Sequence, residues 1–330
     1  MKSRRILLAG LVAASLSAAF TPASAQQRLR VAGNFPPDHT ASLAMEVFKK
    51  EVEARTKGEL QIDLFPNMQL GGAAENVDQV RSGTVFAIVT SIAYFTRVVP
   101  EYEAVSLPFL FSSREAAFRV MDGPIGRVFD EKMAEKGFVS LGYGELGFRH
   151  VTNNLRPITS VADFRGLKIR LQPNQVHLDT FRALGANPVA MDIKEVYSAM
   201  QQGVLDGHEN PYNIVQSRRF NEVQRHLSNT GHFYDFINAV ANKRLFERLS
   251  KPHQEAVMAS MREAMLWQRA EAAKLDDGAR KALVDGGMTY TPVTPAVIAE
   301  FRRATAPVYD TLKKRVDAKL IDAVVAEATK

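Results

Sequence analysis

The chain contains no cysteine. Disulfides, cysteine-ligated metals and thiol catalysis are therefore excluded together. Its seven histidines are scattered. His208-Glu209 lacks the second histidine that H-E-x-x-H requires, so no metal site is expected. The patterns G-x-x-x-x-G-K-[ST] and G-x-S-x-G are also missing, and with them the motif evidence for a nucleotide phosphate or a serine nucleophile. Beyond residue 25 no stretch is long and apolar enough to span a membrane, which takes about 20 apolar residues. The first 25 residues hold no acidic group, only Lys2, Arg4 and Arg5. Without them 42 basic residues become 39, against 36 acidic, and the net charge falls from +6 to +3. Nothing points to a nucleic-acid surface.

What the first 25 residues do contain is a recognisable order. A basic start is followed by an apolar run, Ile6 to Phe20, and by Ala23-Ser24-Ala25 before Gln26. This is the layout of a secretory signal peptide cleaved after residue 25. Export of a cysteine-free, soluble protein is expected to end in a bacterial periplasm. The 330 residues suffice for two compact domains, and 46% hydrophobic with 24% charged residues is an ordinary globular balance.

The periodicity then alternates between two kinds. Leu29 to Asn34 reads as a strand. Ala44, Val47, Phe48 and Val52 recur at helical spacing up to Gly58. Leu60 to Phe65 alternates as a strand, Gly71-Gly72 opens a helix ended by Gly83, and Val85 to Thr90 is a third strand. This βαβαβ order predicts a mainly parallel sheet. A second unit repeats it: strand Leu167 to Leu171, helix Val176 to Leu184, strand Asn187 to Ala190, helix Lys194 to Gln202, strand Val204 to His208. Between the units lie the apolar loop Leu107-Pro108-Phe109-Leu110-Phe111, two helices near 113–122 and 124–136, and strand Phe138 to Tyr143. Gly144 to Thr152 and Gly231 to Ala241 are expected to cross between the halves. A helix capped by Ser250, with Pro252 in its first turn, runs to about Asp285 and is long enough to bridge both. The expected fold is α/β, two doubly wound lobes around a central cleft. Residues 26–148 plus about 235–275 are expected to form lobe 1, and 149–234 plus about 276–330 lobe 2.

Gly142-Tyr143-Gly144-Glu145-Leu146-Gly147 matches G-x-G-x-x-G literally. A dinucleotide site needs a helix to open at the last glycine. The next residues, Phe148-Arg149-His150-Val151-Thr152, read as a strand-like piece, so the glycines fit a hinge better and no cofactor is expected. In open α/β sheets ligands bind beyond the carboxyl ends of the strands. Those ends carry Asn34, Thr90, Arg170 and Asn210, and the crossing segments add Arg149 and His232. Two arginines, two amides, a hydroxyl and an imidazole make a cleft for an organic anion, because a guanidinium matches a carboxylate with two parallel hydrogen bonds. Arg170 ends a strand with no charge run around it and is the expected anchor. Arg149 also reads as one half of a structural ion pair, and His232 as a core histidine.

Several stretches together resemble one family. They are Glu59 to Asn67 with Gln69-Leu70-Gly71, Leu107 to Phe111, Gly147-Phe148-Arg149, Gly166-Leu167-Lys168-Ile169-Arg170, Ala183 to Pro188, Glu195-Val196-Tyr197 with Gln201-Gln202-Gly203, and Asp206-Gly207 with Glu209-Asn210-Pro211. The chain resembles the solute receptors of tripartite ATP-independent periplasmic (TRAP) transporters, the C4-dicarboxylate-binding DctP type. The resemblance covers nearly all of the chain after residue 25. It implies a non-enzymatic monomer that closes two lobes over a C4-dicarboxylate, sugar acid or related carboxylate and hands it to a membrane permease driven by an ion gradient. It implies that Arg170 pairs the ligand carboxylate, with Arg149 and Asn210 beside it and Asn34 and His232 at further pocket positions. His208 departs from the pattern, standing where glutamine is common. Two other readings use the same residues: a sensor that presents its liganded surface to a signalling partner, and a secreted enzyme using Glu209 with His208 or His232 as acid and base.

Overall fold

Two strands of unusual length carry the chain between its halves. The computed structural model describes residues 26–330. The signal-peptide reading, at residues 1–25, lies outside them. The first half runs β1 (Gln27–Gly33), α1 (Thr40–Arg55), β2 (Leu60–Phe65), α2 (Ala73–Ser82) and β3 (Ala87–Ser91), then α3 (Arg114–Asp122), α4 (Pro124–Glu135) and β4 (Phe138–Asn153). The second half runs β5 (Lys168–Leu171), α5 (Gln175–Ala183), β6 (Asn187–Ala190), α6 (Ile193–Gln201), β7 (Gly207–Asn210), α7 (Tyr212–Ser217) and β8 (His226–Asn242). The chain closes with α8 (Lys243–Glu247), α9 (Lys251–Asp285), β9 (Thr289–Pro292), α10 (Pro295–Thr305), α11 (Pro307–Lys313) and α12 (Ala318–Ala328).

One sheet threads both lobes in the order β2-β1-β3-β8-β4-β7-β5-β6, with β9 added at β8. The two βαβαβ units fold alike: β1 lies between its parallel partners β2 and β3, and β5 between β6 and β7. Each unit is flanked by one crossing strand, antiparallel to it: β8 on β3, and β4 on β7. The crossing strands pair with each other through three shifts of register, at Ser140/Gly142, Glu145/Gly147 and Arg149/Val151. Gly147 supplies one of these bends with φ of 110°, a conformation that a side chain resists. The literal G-x-G-x-x-G therefore lies inside a strand, and no helix opens at its last glycine.

The helix expected from Ser250 is α9, 35 residues long and capped by the Ser250 side chain, which accepts from His253 N–H. At 1.5 Å per residue it spans roughly 50 Å. It packs on α1 of the first lobe, α7 of the second and the crossing strand β4. Gln268 pins that strand: its Oε1 accepts from Glu145 N–H at 2.7 Å, and its Nε2 donates to Glu145 C=O and Thr40 Oγ1 at 2.8 and 2.9 Å. The apolar loop near 107–111 is core to both lobes. Phe109 joins the second-lobe cluster with Phe164 and Phe301, whereas Leu110 and Phe111 pack with first-lobe residues.

The sequence reading places about 276–330 in the second lobe. α10 packs there through Phe301. The last helices turn back instead: Leu312, Ile321 and Val324 are buried with Phe118, Val120 and Phe129 of the first lobe. Their apolar stripe identifies a core-facing helix without saying which core it faces.

Candidate functional site

The carboxyl ends of β1, β3, β5 and β7 converge where the strand order of each unit changes direction. A cavity of about 20 Å³ lies there between the lobes, lined by Asn34, Phe35, Thr90, Ser91 and Tyr94 from one side and Gln172, Ile193, Asn210, Ile214 and Arg218 from the other, with Leu146 of the crossing strand. That volume holds one or two waters. An organic acid can enter only if the lobes part or these side chains reset.

Arg170 sits on β5 between Ile169 and Leu171, which point into the lobe core, and is fully buried. Its Nε donates to Met191 C=O at 2.8 Å, and its Nη2 to the hydroxyl of Tyr94, a cavity residue, at 3.3 Å. Nη1 has no partner, and the guanidinium forms no ion pair among the described residues. A buried charge without a counter-charge is costly unless something else pairs it.

Arg149 is the opposite case. It too is fully buried, but its Nε and Nη2 donate to the Glu209 carboxylate at 2.5 and 2.8 Å and its Nη1 to Asp235 Oδ2 at 3.0 Å. Nη2 also reaches Glu209 C=O and Asn210 Oδ1, at 2.8 and 3.0 Å. Burial alone would raise the Glu209 carboxyl, but Arg149 and the His232 hydrogen bond outweigh it and hold the group well below the usual carboxylate range. Asp235 goes the other way: burial raises it, against Arg149 and the Ser91 hydroxyl, which donates to it at 2.8 Å.

His232 Nε2 faces Glu209 Oε2 at 3.1 Å, and its Nδ1 faces Thr230 Oγ1 at 2.7 Å. Burial depresses its pKa more than Glu209 raises it. The ring is thus neutral, donating from Nε2 to the carboxylate and accepting at Nδ1. His208 lies behind Asn210, whose amide nitrogen donates to His208 Nδ1 at 3.0 Å. Asn210 is therefore clamped by Arg149 on its oxygen and His208 on its nitrogen, which leaves one N–H beside the cavity. Thr90 Oγ1 and Asn34 Oδ1 are buried and without partners. The structure brings Asn34, Thr90 and Asn210 to the cavity wall, sets Arg170 against that wall through Tyr94, and directs Arg149 and His232 into the Glu209–Asp235 network behind it.

Among the cavity residues that sequence reading missed, three carry polar groups that matter here: Tyr94, Gln172 and Arg218. Tyr94 follows β3 in a short 3-10 turn, Ile92–Phe95. Gln172 follows Arg170 by two. Arg218 caps the C-terminus of α7, while its neighbour Arg219 is exposed. Nothing in the sequence separates the two adjacent arginines.

Another contact between the lobes lies at the rim. Asp192 caps α6 by accepting from Lys194 N–H at 3.1 Å, and its other oxygen accepts from Ala73 N–H of α2, also at 3.1 Å. A Cβ at Gly72 would stand 2.6 Å from that oxygen, so the approach requires glycine. Asp192→Ala is expected to loosen closure and weaken ligand affinity by about 1 kcal/mol, the size of a lost helix cap. Calorimetry gives the affinity and small-angle scattering the radius of gyration. Unchanged values in both would mean that the contact does not restrain the lobes.

Known proteins are similar to this chain in both sequence and fold. Residues 31–315 match the model of family 7 of the bacterial extracellular solute-binding proteins, DctP. The 2,3-diketo-L-gulonate-binding periplasmic protein of Escherichia coli is 35% identical over 289 residues, 86% of this chain and 88% of that protein. The C4-dicarboxylate-binding periplasmic protein of Rhodobacter capsulatus is 31% identical over 330 residues, 99% of each. A TRAP periplasmic solute-binding protein from Polaromonas, solved bound to D-erythronate, superposes with a TM-score of 0.88 at 35% identity, covering 91% of this chain and 98% of that one.

Proposed function

Since the chain belongs to the DctP family, family 7 of the bacterial extracellular solute-binding proteins, we propose that its cleft captures a small organic carboxylate and delivers it to a TRAP-type permease. The family is one of binding receptors, and its named relatives are periplasmic. In our reading residues 1–25 direct export and are removed. The moving units are 26–148 with about 235–275, and 149–234 with about 276–330, less the last two helices, which pack on the first unit. Hinge closure of this kind is a common switching mode.

The observation that carries the proposal is Arg170: a fully buried guanidinium, partnered only by a carbonyl and by the hydroxyl of Tyr94, which lines an interlobe cavity, and with one nitrogen unbonded. It anchors the carboxylate. Asn210 adds an amide N–H from its own lobe, and Asn34 and Thr90 close from the other. Arg149 and His232 hold Glu209 and Asn210 in place, which supports a positioning role for both. The same network favours binding over catalysis. Glu209 is tied to Arg149 and His232, and no acid–base pair among the described residues is left facing the cavity.

The test is calorimetry after a thermal-shift screen of organic acids, since ligand at 100 times its Kd stabilises by about 2.7 kcal/mol. Arg170→Ala is expected to lower affinity by about 1.5–3 kcal/mol, the range for hydrogen bonds to charged groups. Unaltered binding in that variant would refute the anchor.

A further inference from the structure

A second guanidinium, besides the Arg170 group behind Tyr94, lines the cavity itself. Arg218 reaches from the end of α7 across the cleft, where its Nη2 donates to the backbone carbonyl of Asn34 in the other lobe. Its Nε is buried and unpartnered, and like Arg170 it forms no ion pair among the described residues. Burial pushes its pKa down to about 10; Arg170 acts in the same direction, and Tyr94 and the Asp192 carboxylate act against it. A guanidinium is always charged in a protein, so the closed cleft contains two like charges, and Asp192, whose charge acts on Arg218, is hydrogen-bonded to backbone N–H groups rather than to either arginine. The contrast with Arg149, which has two carboxylates for one guanidinium, shows that the fold pairs a buried arginine where pairing serves the fold.

Three further oxygens at the cavity can accept, beside the free Asn210 N–H and the Thr90 hydroxyl that can donate. Asn76 Nδ2 donates to Leu70 C=O, which directs Asn76 Oδ1 toward Asn34 Nδ2 and leaves Asn34 Oδ1 facing the cavity side without a partner. Gln172 Oε1 and Thr90 Oγ1 are likewise buried and unbonded. Two cations on the same side of the cleft, one in the cavity wall and one behind Tyr94, with unbonded oxygens at the cavity, match a chain that has an anionic group at each end and hydroxyls in the middle.

We infer that Arg218 is a second anion-binding residue and that the site selects a short hydroxylated dicarboxylate over the corresponding monocarboxylate. This rests on the carboxylate reading of the cleft. On binding, Arg218 exchanges the Asn34 carbonyl for the second carboxylate, and Arg170 keeps the first. Release of Asn34 C=O from Arg218 couples the ligand's second charge to the contact between the lobes.

The test uses the protein without residues 1–25 and two matched pairs of acids: galactarate against galactonate, and malate against 3-hydroxybutyrate. Calorimetry is expected to give tighter binding for the diacid of at least one pair. Arg218→Gln should weaken that diacid about 10- to 100-fold, as expected for loss of a charged hydrogen-bond partner, and change the monoacid less than about threefold, while Arg218→Lys keeps the preference. Equal affinity within both pairs, or an equal loss for diacid and monoacid in Arg218→Gln, overturns the inference. If monoacids bind and depend on Arg170 alone, the carboxylate reading stands and this inference falls. If none of the acids binds, both fall.

Discussion

Arg149→Ala is expected to cost about 3–5 kcal/mol of folding stability, the usual penalty for removing one partner of a buried ion pair. Glu209 and Asp235 are both buried, and among the described residues Arg149 is the only cation that bonds to either. Without it, two carboxylates share a low-dielectric site with a neutral imidazole. Their pKa values must then rise. A carboxyl raised in the folded state contributes stability at low pH and loses it as pH climbs through its folded pKa, so the deficit of the variant should deepen from pH 5 to pH 8. Adding Glu209→Gln removes one stranded charge and should restore part of the loss. Urea denaturation of the ligand-free single and double variants measures the coupling. A loss below about 1 kcal/mol for Arg149→Ala would show that the network contributes little to folding. This measurement also separates two roles. A residue that serves only the ligand would change affinity and leave unfolding untouched.

The wild-type protein is expected to lose stability steeply between about pH 6.5 and 5. Burial depresses five of its histidines: His39, His177 and His208 to about 3, and His150 and His232 as well. A histidine held neutral in the fold contributes fully above the unfolded pKa near 6.5, and the contribution is lost as pH falls toward the folded value, because only the unfolded chain takes up the proton. Each such group contributes about 1.4 kcal/mol per pH unit. Two acting together therefore remove roughly 3 kcal/mol between pH 6 and 5. The raised carboxyls of Asp235 and Glu145 oppose this by gaining protons in the fold. Glu209, held low, adds its own loss only below the ordinary carboxylate range. Unfolding free energies at pH 5, 6, 7 and 8 test the slope. His177 stacks on Phe233 at 4.1 Å, and His177→Phe should flatten the slope by about one proton. A stability constant within about 1 kcal/mol from pH 7 to 5 would contradict the buried neutral histidines.

Much of the architecture is legible in the sequence. The alternation of strand and helix periods, with glycine after each helix, marks both βαβαβ units and the long helix capped by Ser250. The strand-end rule selects Asn34, Thr90, Arg170 and Asn210 because in a parallel sheet those positions are set by local order alone. The final helices are assigned to the wrong neighbour: an amphipathic stripe records that a face is buried, not what it is buried against. Arg149 looks like a second ligand group because its residue type and strand position resemble those of Arg170. Their difference lies in partners brought from 60 and 86 residues away, Glu209 and Asp235.

By itself the sequence determined the elements, their order, the candidate strand ends and the presence of an isolated arginine at one of them. All of these depend on short-range patterns of apolar and polar residues. Only the tertiary structure decided which arginines are neutralised by the fold and which are left to a ligand. Charge pairing depends on distances across the cleft between segments that are remote in the chain. That is why Arg149 is satisfied by the protein while Arg170, behind Tyr94, and Arg218, in the cavity wall, come from separate elements and form no ion pair among the described residues.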